Sequence, residues 1–122
     1  MKPNKNVVVA TVATLLLSVL APWANAQTVK EFSGYGNKAE QHFTVSGPWT
    51  LEWHVKGNGV SPTLDYFEAR LYDSTTGKFL GMVARNTGSG AGKRYFADGG
   101  LYYINVVGRN LHWQMRIVQA ES

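Results

Sequence analysis

Apolar and polar residues alternate along much of the chain, which is the pattern of strands with one buried face. The clearest run is Trp49 to Lys56, where every second residue is apolar and the residues between them are polar. A helix would spread these apolar side chains around its axis, whereas a strand places them on one face. The run therefore predicts a strand whose buried face carries Trp49, Leu51, Trp53 and Val55.

The same alternation predicts further strands at 29–32, 43–45, 66–72, 94–97, 102–107 and 111–117. Residues 78–85 are apolar on both faces, which leaves the inward side of that strand open. Turn residues separate the runs: 73–77 predicts a hairpin loop, and 86–93, with three glycines, predicts a mobile loop. The core is expected to contain Trp49, Trp53, Phe67, Leu71, Tyr102, Ile104 and Trp113.

Seven or eight short strands without a helix-period segment predict an all-β fold. We expect a single antiparallel β-sandwich, with a small barrel as the alternative. Strand order does not follow from spacing alone.

The chain begins with the three parts of a signal peptide. Lys2 and Lys5 are followed by the apolar run 7–20 and then by Ala24-Asn25-Ala26, a small-x-small cleavage pattern. The apolar run has 14 residues, fewer than the roughly 20 that a spanning helix needs. We therefore expect residues 1–26 to be cleaved, leaving 27–122 as one domain, periplasmic or secreted and without membrane attachment.

The size and the charge of the chain exclude few classes of binding partner. The predicted mature domain has no Cys, so large aromatic residues must supply its core. Loss of Lys2 and Lys5 leaves ten Lys and Arg against eight Asp and Glu, scattered along the chain. No basic run indicates nucleic acid, and we expect no such partner.

Two stretches carry a resemblance to known proteins. FSGYG (32–36) and FTVSGPWTLEW (43–53) resemble the opening of small exported bacterial β-sandwich domains of unknown function. GLYYINV (100–106) and WQMRI (113–117) are similar to the closing strand pair of those domains. This end also loosely resembles bacterial pre-peptidase C-terminal domains, which are β-sandwiches appended to secreted enzymes. The resemblance implies the fold and export, and it implies no activity.

Motifs for catalysis are weak. The chain has no Cys, and no Ser lies in a Gly-x-Ser-x-Gly elbow, so we expect no enzyme, no catalytic residue and no cofactor. Glu52 and His54 lie two apart on one strand face, and His112 is predicted to face outward on another strand. A small metal-dependent protein with these three groups converging stays an alternative, although an ordinary polar strand face explains them as well.

The predicted outward faces favour a binding role. They include tyrosines and arginines, which combine a large contact area with polar groups. We expect the ligand-binding residues to be Tyr66, Arg70, Tyr72, Tyr103 and Arg116. The predicted function is a monomeric binding or interaction module for a glycan or protein ligand, including inhibition of a secreted enzyme. The alternative is a structural protein that self-associates through strand edges.

Overall fold

The computed structural model describes residues 26–59 and 64–120. The strands in this part of the chain are, in sequence order, β1 (Ala26–Tyr35), β2 (Lys38–Val45), β3 (Trp49–Gly57), β4 (Tyr66–Asp73), β5 (Phe79–Asn86), β6 (Gly90–Phe96), β7 (Gly100–Arg109) and β8 (Leu111–Ala120). The chain divides into two units, and the larger, Thr28–Gln119, contains both sheets. Of the smaller unit, only the ends of β1 and β8 are described. The predicted signal peptide, up to residue 25, lies outside the described residues.

These eight described strands form two four-stranded sheets that pack as an antiparallel sandwich, and they do not close into a barrel. One sheet has the order β1-β8-β3-β6 and the other the order β2-β7-β4-β5. The sandwich prediction is confirmed. The strand order, which spacing could not supply, places β4 and β7 side by side in the second sheet.

The core lies between the two sheets and consists of the alternate residues of each strand. On β3, Trp49, Leu51 and Val55 are buried, and on β8 Trp113 and its alternate neighbours are buried. Trp53 and four other partly buried residues pack against this core; the other four are Val29, Phe32, Phe96 and Tyr102. The predicted core set is therefore assembled, with Trp53 and Tyr102 at its margin.

The ambiguous strand, β5, carries an irregularity that explains its pattern. Ala69 pairs with Ala84 and Arg70 pairs with Met82, so Val83 is an extra residue between two ladder pairs. Such an extra residue allows two consecutive side chains to lie inward. Val83 and Ala84 are both buried, which is why alternation alone could not assign the faces of this strand.

The predicted loop at 86–93 is mostly strand. β5 continues through Asn86 and β6 begins at Gly90, so the connection is only 87–89. Glycine is needed in β6 because a Cβ on Gly92 would overlap the indole ring of Trp53. A Cβ on Gly90 would likewise come within 2.5 Å of Asn86 Nδ2. These glycines give close packing inside a sheet, and the prediction of a mobile loop over this range was wrong.

The predicted hairpin loop at 73–77 is confirmed. The backbone N–H of Gly77 donates to the carbonyl of Asp73 at 2.8 Å. The Asp73 carboxylate accepts from Thr75 N and from Thr76 Oγ1, each at 3.0 Å.

Within the described ranges, no helix has both the length and the apolar character needed to cross a membrane.

Candidate functional site

Four of the five predicted binding residues lie together on one outer face. Tyr66, Arg70 and Tyr72 are alternate residues of β4, between the buried residues that face the core. Tyr103 lies on the neighbouring strand β7, directly opposite Tyr72. Arg116 lies on β8, which belongs to the other sheet, so the structure separates it from the tyrosines by the thickness of the sandwich.

An aromatic row crosses this face, with one ring from each strand of the sheet. It consists of His42, Tyr103, Tyr72 and Phe79. The rings of Tyr72 and Tyr103 are stacked, with centroids 4.8 Å apart and planes inclined by 5°. The His42 ring lies 5.0 Å from that of Tyr103, and the Phe79 ring lies 5.3 Å from that of Tyr72.

This spacing decides which part of each tyrosine is presented to a ligand. Adjacent strands are about 4.8 Å apart, so rings stacked at that distance stand upright with their faces toward one another. Tyr72 and Tyr103 each have an aromatic neighbour on both sides. One face of each tyrosine ring is therefore covered by the other tyrosine, and the second face meets the tilted ring of His42 or Phe79. The outer surface of the row presents mainly ring edges and hydroxyl groups.

Exposed apolar side chains border the aromatic row. Phe79, at the end of the row, is itself 52% exposed, and the bordering side chains of Met82 and Leu101 are 39% and 54% exposed. Met82 pairs with Arg70 and Leu101 pairs with Thr44, so both lie on the outer side of the sheet. The sequence prediction missed these residues. The two register shifts of β5 against β4 hid Phe79 and Met82, and Leu101 lies just before the predicted strand 102–107.

An arginine cluster, formed by Arg70, Arg85 and Arg109, lies on the same face beside the row. Tyr66 Oη donates to one oxygen of the Glu68 carboxylate and Arg70 Nε donates to the other. The guanidinium carbons of Arg109 and Arg85 lie 5.1 and 5.7 Å from the Tyr66 ring centroid. Both distances suit cation–π attraction.

Glu68 is the anionic centre of this cluster, and its charge is fixed by its neighbours. The hydrogen bond from Tyr66 is the main cause that lowers the pKa of Glu68, and Arg70 lowers it further, whereas burial opposes both. The same hydrogen bond raises the pKa of Tyr66, and the hydrogen bond to Glu68 raises the pKa of Arg70. The carboxylate therefore stays ionised while both partners keep the protons that they donate.

The opposite sheet carries a trough on its outer face, with a volume of about 620 Å³. Arg116 lines it and donates to Glu52 Oε1 from Nη2 at 2.6 Å and from Nε at 3.0 Å. Arg116 is thus engaged by a carboxylate on its own sheet. It has no part in the tyrosine-bearing face.

The three groups considered for a metal do not converge. β3 and β8 are neighbours, but Glu52 lies opposite Arg116 and His54 opposite Gln114. His112 lies opposite Lys56, and its ring contacts Tyr35 at a centroid distance of 4.8 Å. Among residues 26–59 and 64–120, no three His, Cys, Asp or Glu side chains form a group that could hold a metal ion.

Neither protein-family models nor curated proteins supply a relative of this chain. The resemblance to small exported domains and to pre-peptidase C-terminal domains stays a prediction.

Proposed function

We propose that this protein is an exported, non-catalytic binding module whose aromatic row holds a protein partner. The observation that carries the proposal is a continuous band of aromatic and apolar side chains across all four strands of one outer sheet face. Because this band faces solvent, its apolar side chains contribute little to the stability of the folded chain. Exposed apolar patches of this kind mark interaction sites.

The ring geometry favours a protein over a glycan on this face. On an aromatic surface a sugar ring is held by lying against an open ring face, whereas the rings of Tyr72 and Tyr103 have neighbouring rings on both sides. Ring edges, hydroxyl groups and flanking apolar side chains instead suit the mixed surface of a protein interface.

Charge indicates the kind of protein surface. The arginine cluster gathers three guanidinium groups around Tyr66 and the Glu68 carboxylate. A second carboxylate, that of Glu40, lies beside His42 of the aromatic row. Three arginines against these two carboxylates leave an excess of positive charge beside the row. We expect the partner to present apolar side chains flanked by carboxylates, because complementary charge steers and orients association.

Self-association through strand edges is the second candidate, because exposed apolar residues lie on the edge strand β5. Both edges of this sheet are irregular, however. β5 has two register shifts against β4, and β2 has one between Lys38 and Gln41 with a left-handed residue, Glu40. Bulges at an edge twist it away from further pairing. We therefore favour a monomer that binds a different protein.

Affinity capture tests the proposal. The mature domain, residues 27–122, would be immobilised and exposed to the exported proteins of cells that make it. The test variant combines Tyr72→Ala with Tyr103→Ala, which removes the stacked pair and its ring contacts with His42 and Phe79. An aromatic pair contributes about 0.5–1.5 kcal/mol beyond the area that it buries. The lost contacts lie on the outer face and not in the core, so the domain should stay folded. The matched control combines Tyr35→Ala with Tyr95→Ala, two exposed tyrosines on the other sheet.

A protein retained by the wild type and the control, and lost from the test variant, is the expected result. If the test variant is folded by circular dichroism and retains every captured protein, the aromatic row is not a binding surface. If the test variant unfolds, the two tyrosines are structural, and the proposal fails in that form.

A further inference from the structure

The trough on the β1-β8-β3-β6 sheet has a regular construction. Two rows of outward side chains run across the strands, and the floor between them is backbone. The first row contains Glu31, Arg116, Glu52 and Lys93, and the second contains Ser33, Gln114, His54 and Ala91. The residues between the rows, such as Met115, Trp53 and Gly92, pair across the strands and point into the sandwich.

The floor is open because the side chains beneath it are directed inward. Trp53 pairs with Gly92, and its indole ring occupies the space that a Cβ at Gly92 would need. Trp53 Nε1 donates to Asn86 Oδ1 at 3.0 Å, which holds the ring on the inner side. Four strands about 4.8 Å apart give the trough a length of roughly 14 Å. That is room for an extended ligand.

Charge in the trough is balanced. The first row alternates in sign, with two carboxylates and two cations, and Arg116 is paired with Glu52 at 2.6 Å. A polyanion or a polycation gains nothing from such a row. The second row adds the amide of Gln114, the imidazole of His54 and the hydroxyl of Ser33. Together the rows offer donors and acceptors along the full length.

We propose that the trough binds a neutral, hydroxyl-rich chain, an oligosaccharide, laid across the four strands. Each sugar hydroxyl is both a donor and an acceptor, so it can bond to the carboxylates, guanidinium, amide and imidazole without adding charge. The volume of about 620 Å³ lies within the usual range for small-ligand sites. This site is on the opposite sheet from the aromatic row, so either proposal can fail without the other.

Nuclear magnetic resonance titration of the isotope-labelled mature domain tests it. The neutral probes are cellohexaose, maltohexaose and xylohexaose, each to about 10 mM, which detects binding with millimolar Kd. Hexagalacturonic acid is the anionic comparison of similar length. We expect at least one neutral hexasaccharide to shift backbone signals of Glu52, His54, Gln114 and Arg116, and hexagalacturonic acid to bind more weakly.

Two variants and one control make the test specific. Ala91→Arg places a long side chain in the trough from the exposed edge strand β6, and it should abolish binding. Gln114→Ala removes one amide and should weaken binding about five- to tenfold, the usual effect of one hydrogen bond. Thr44→Arg, on the exposed edge strand of the other sheet, is the matched control and should bind as the wild type does.

Three outcomes overturn the proposal. The first is that no neutral hexasaccharide shifts the trough signals. The second is that the acidic hexasaccharide binds more tightly than all the neutral ones. The third is that Ala91→Arg, with a spectrum showing a folded domain, binds as well as Thr44→Arg.

Discussion

Replacement of Glu68 by Gln should destabilise the domain by about 2 kcal/mol at neutral pH. Glu68 is only 4% exposed and accepts hydrogen bonds from Tyr66 and Arg70. A hydrogen bond to a charged group contributes about 1.5–3 kcal/mol. Gln keeps one acceptor oxygen, so one of the two bonds is lost. Arg70 is half-exposed, and solvent screening places the cost toward the lower part of that range.

The same substitution should change how stability depends on pH. The pKa of Glu68 is lowered in the folded state from an ordinary value of 4.5. A group with a depressed folded pKa contributes stability that is fully present above its unfolded pKa, and this contribution is lost as pH falls through the folded pKa. The wild type should therefore lose its advantage over Glu68→Gln progressively below about pH 4.5.

Urea unfolding from about pH 7 to about pH 3, followed by tryptophan fluorescence, measures both effects. Glu52→Gln is the matched control, because Glu52 is also an outward glutamate paired with an arginine but is more exposed. It should cost less than about 1 kcal/mol. A Glu68→Gln domain as stable as the wild type, or a difference between them that is constant with pH, would refute the reasoning.

Three further predictions concern the core and processing. Trp53→Ala should cost about 3 kcal/mol, the lower end of the usual range because the ring is only partly buried, and a loss below about 1 kcal/mol in a urea melt would contradict its placement. Gly92→Ala should cost about 1–3 kcal/mol because the new methyl group overlaps the Trp53 ring, and an unchanged melt would show that the ring is not there. Mass spectrometry of exported protein should find Gln27 at the mature N-terminus, whereas full-length chain in the membrane fraction would contradict cleavage.

Strand alternation was enough to predict the sandwich and the inward residues of β3 and β8. The period of two is strict where one face is buried and the other is wet, as in Trp49 to Lys56. Alternation failed in β5, because the extra residue Val83 breaks the period. It failed again at Gly90 and Gly92, which look like loop residues but are glycine because Asn86 and Trp53 occupy the space of a side chain.

The candidate site was predictable only in part. Strand order determines which residues of different strands lie on the same sheet face, and the sequence does not show that order. Tyr66, Arg70 and Tyr72 share a face through their spacing on one strand, which the sequence shows directly. Strand pairing decides the rest: it places Tyr103 beside Tyr72 and places Arg116 on the other sheet. Residue spacing also could not show that the rings of Tyr72 and Tyr103 are stacked face to face. This stacking is the reason why we propose a protein and not a glycan as the ligand of this surface.

The most direct test of the central claim is the affinity of the purified partner for two single variants. Phe79 and Tyr95 are aromatic residues of similar exposure, 52% and 66%, on edge strands of opposite sheets. Isothermal titration calorimetry should show Phe79→Ser binding at least about fivefold more weakly than the wild type, as for an interface residue that contributes more than about 1 kcal/mol. Tyr95→Ser should bind like the wild type. Equal affinity for the wild type and Phe79→Ser, or a loss confined to Tyr95→Ser, would contradict the assignment of the aromatic row as the binding surface.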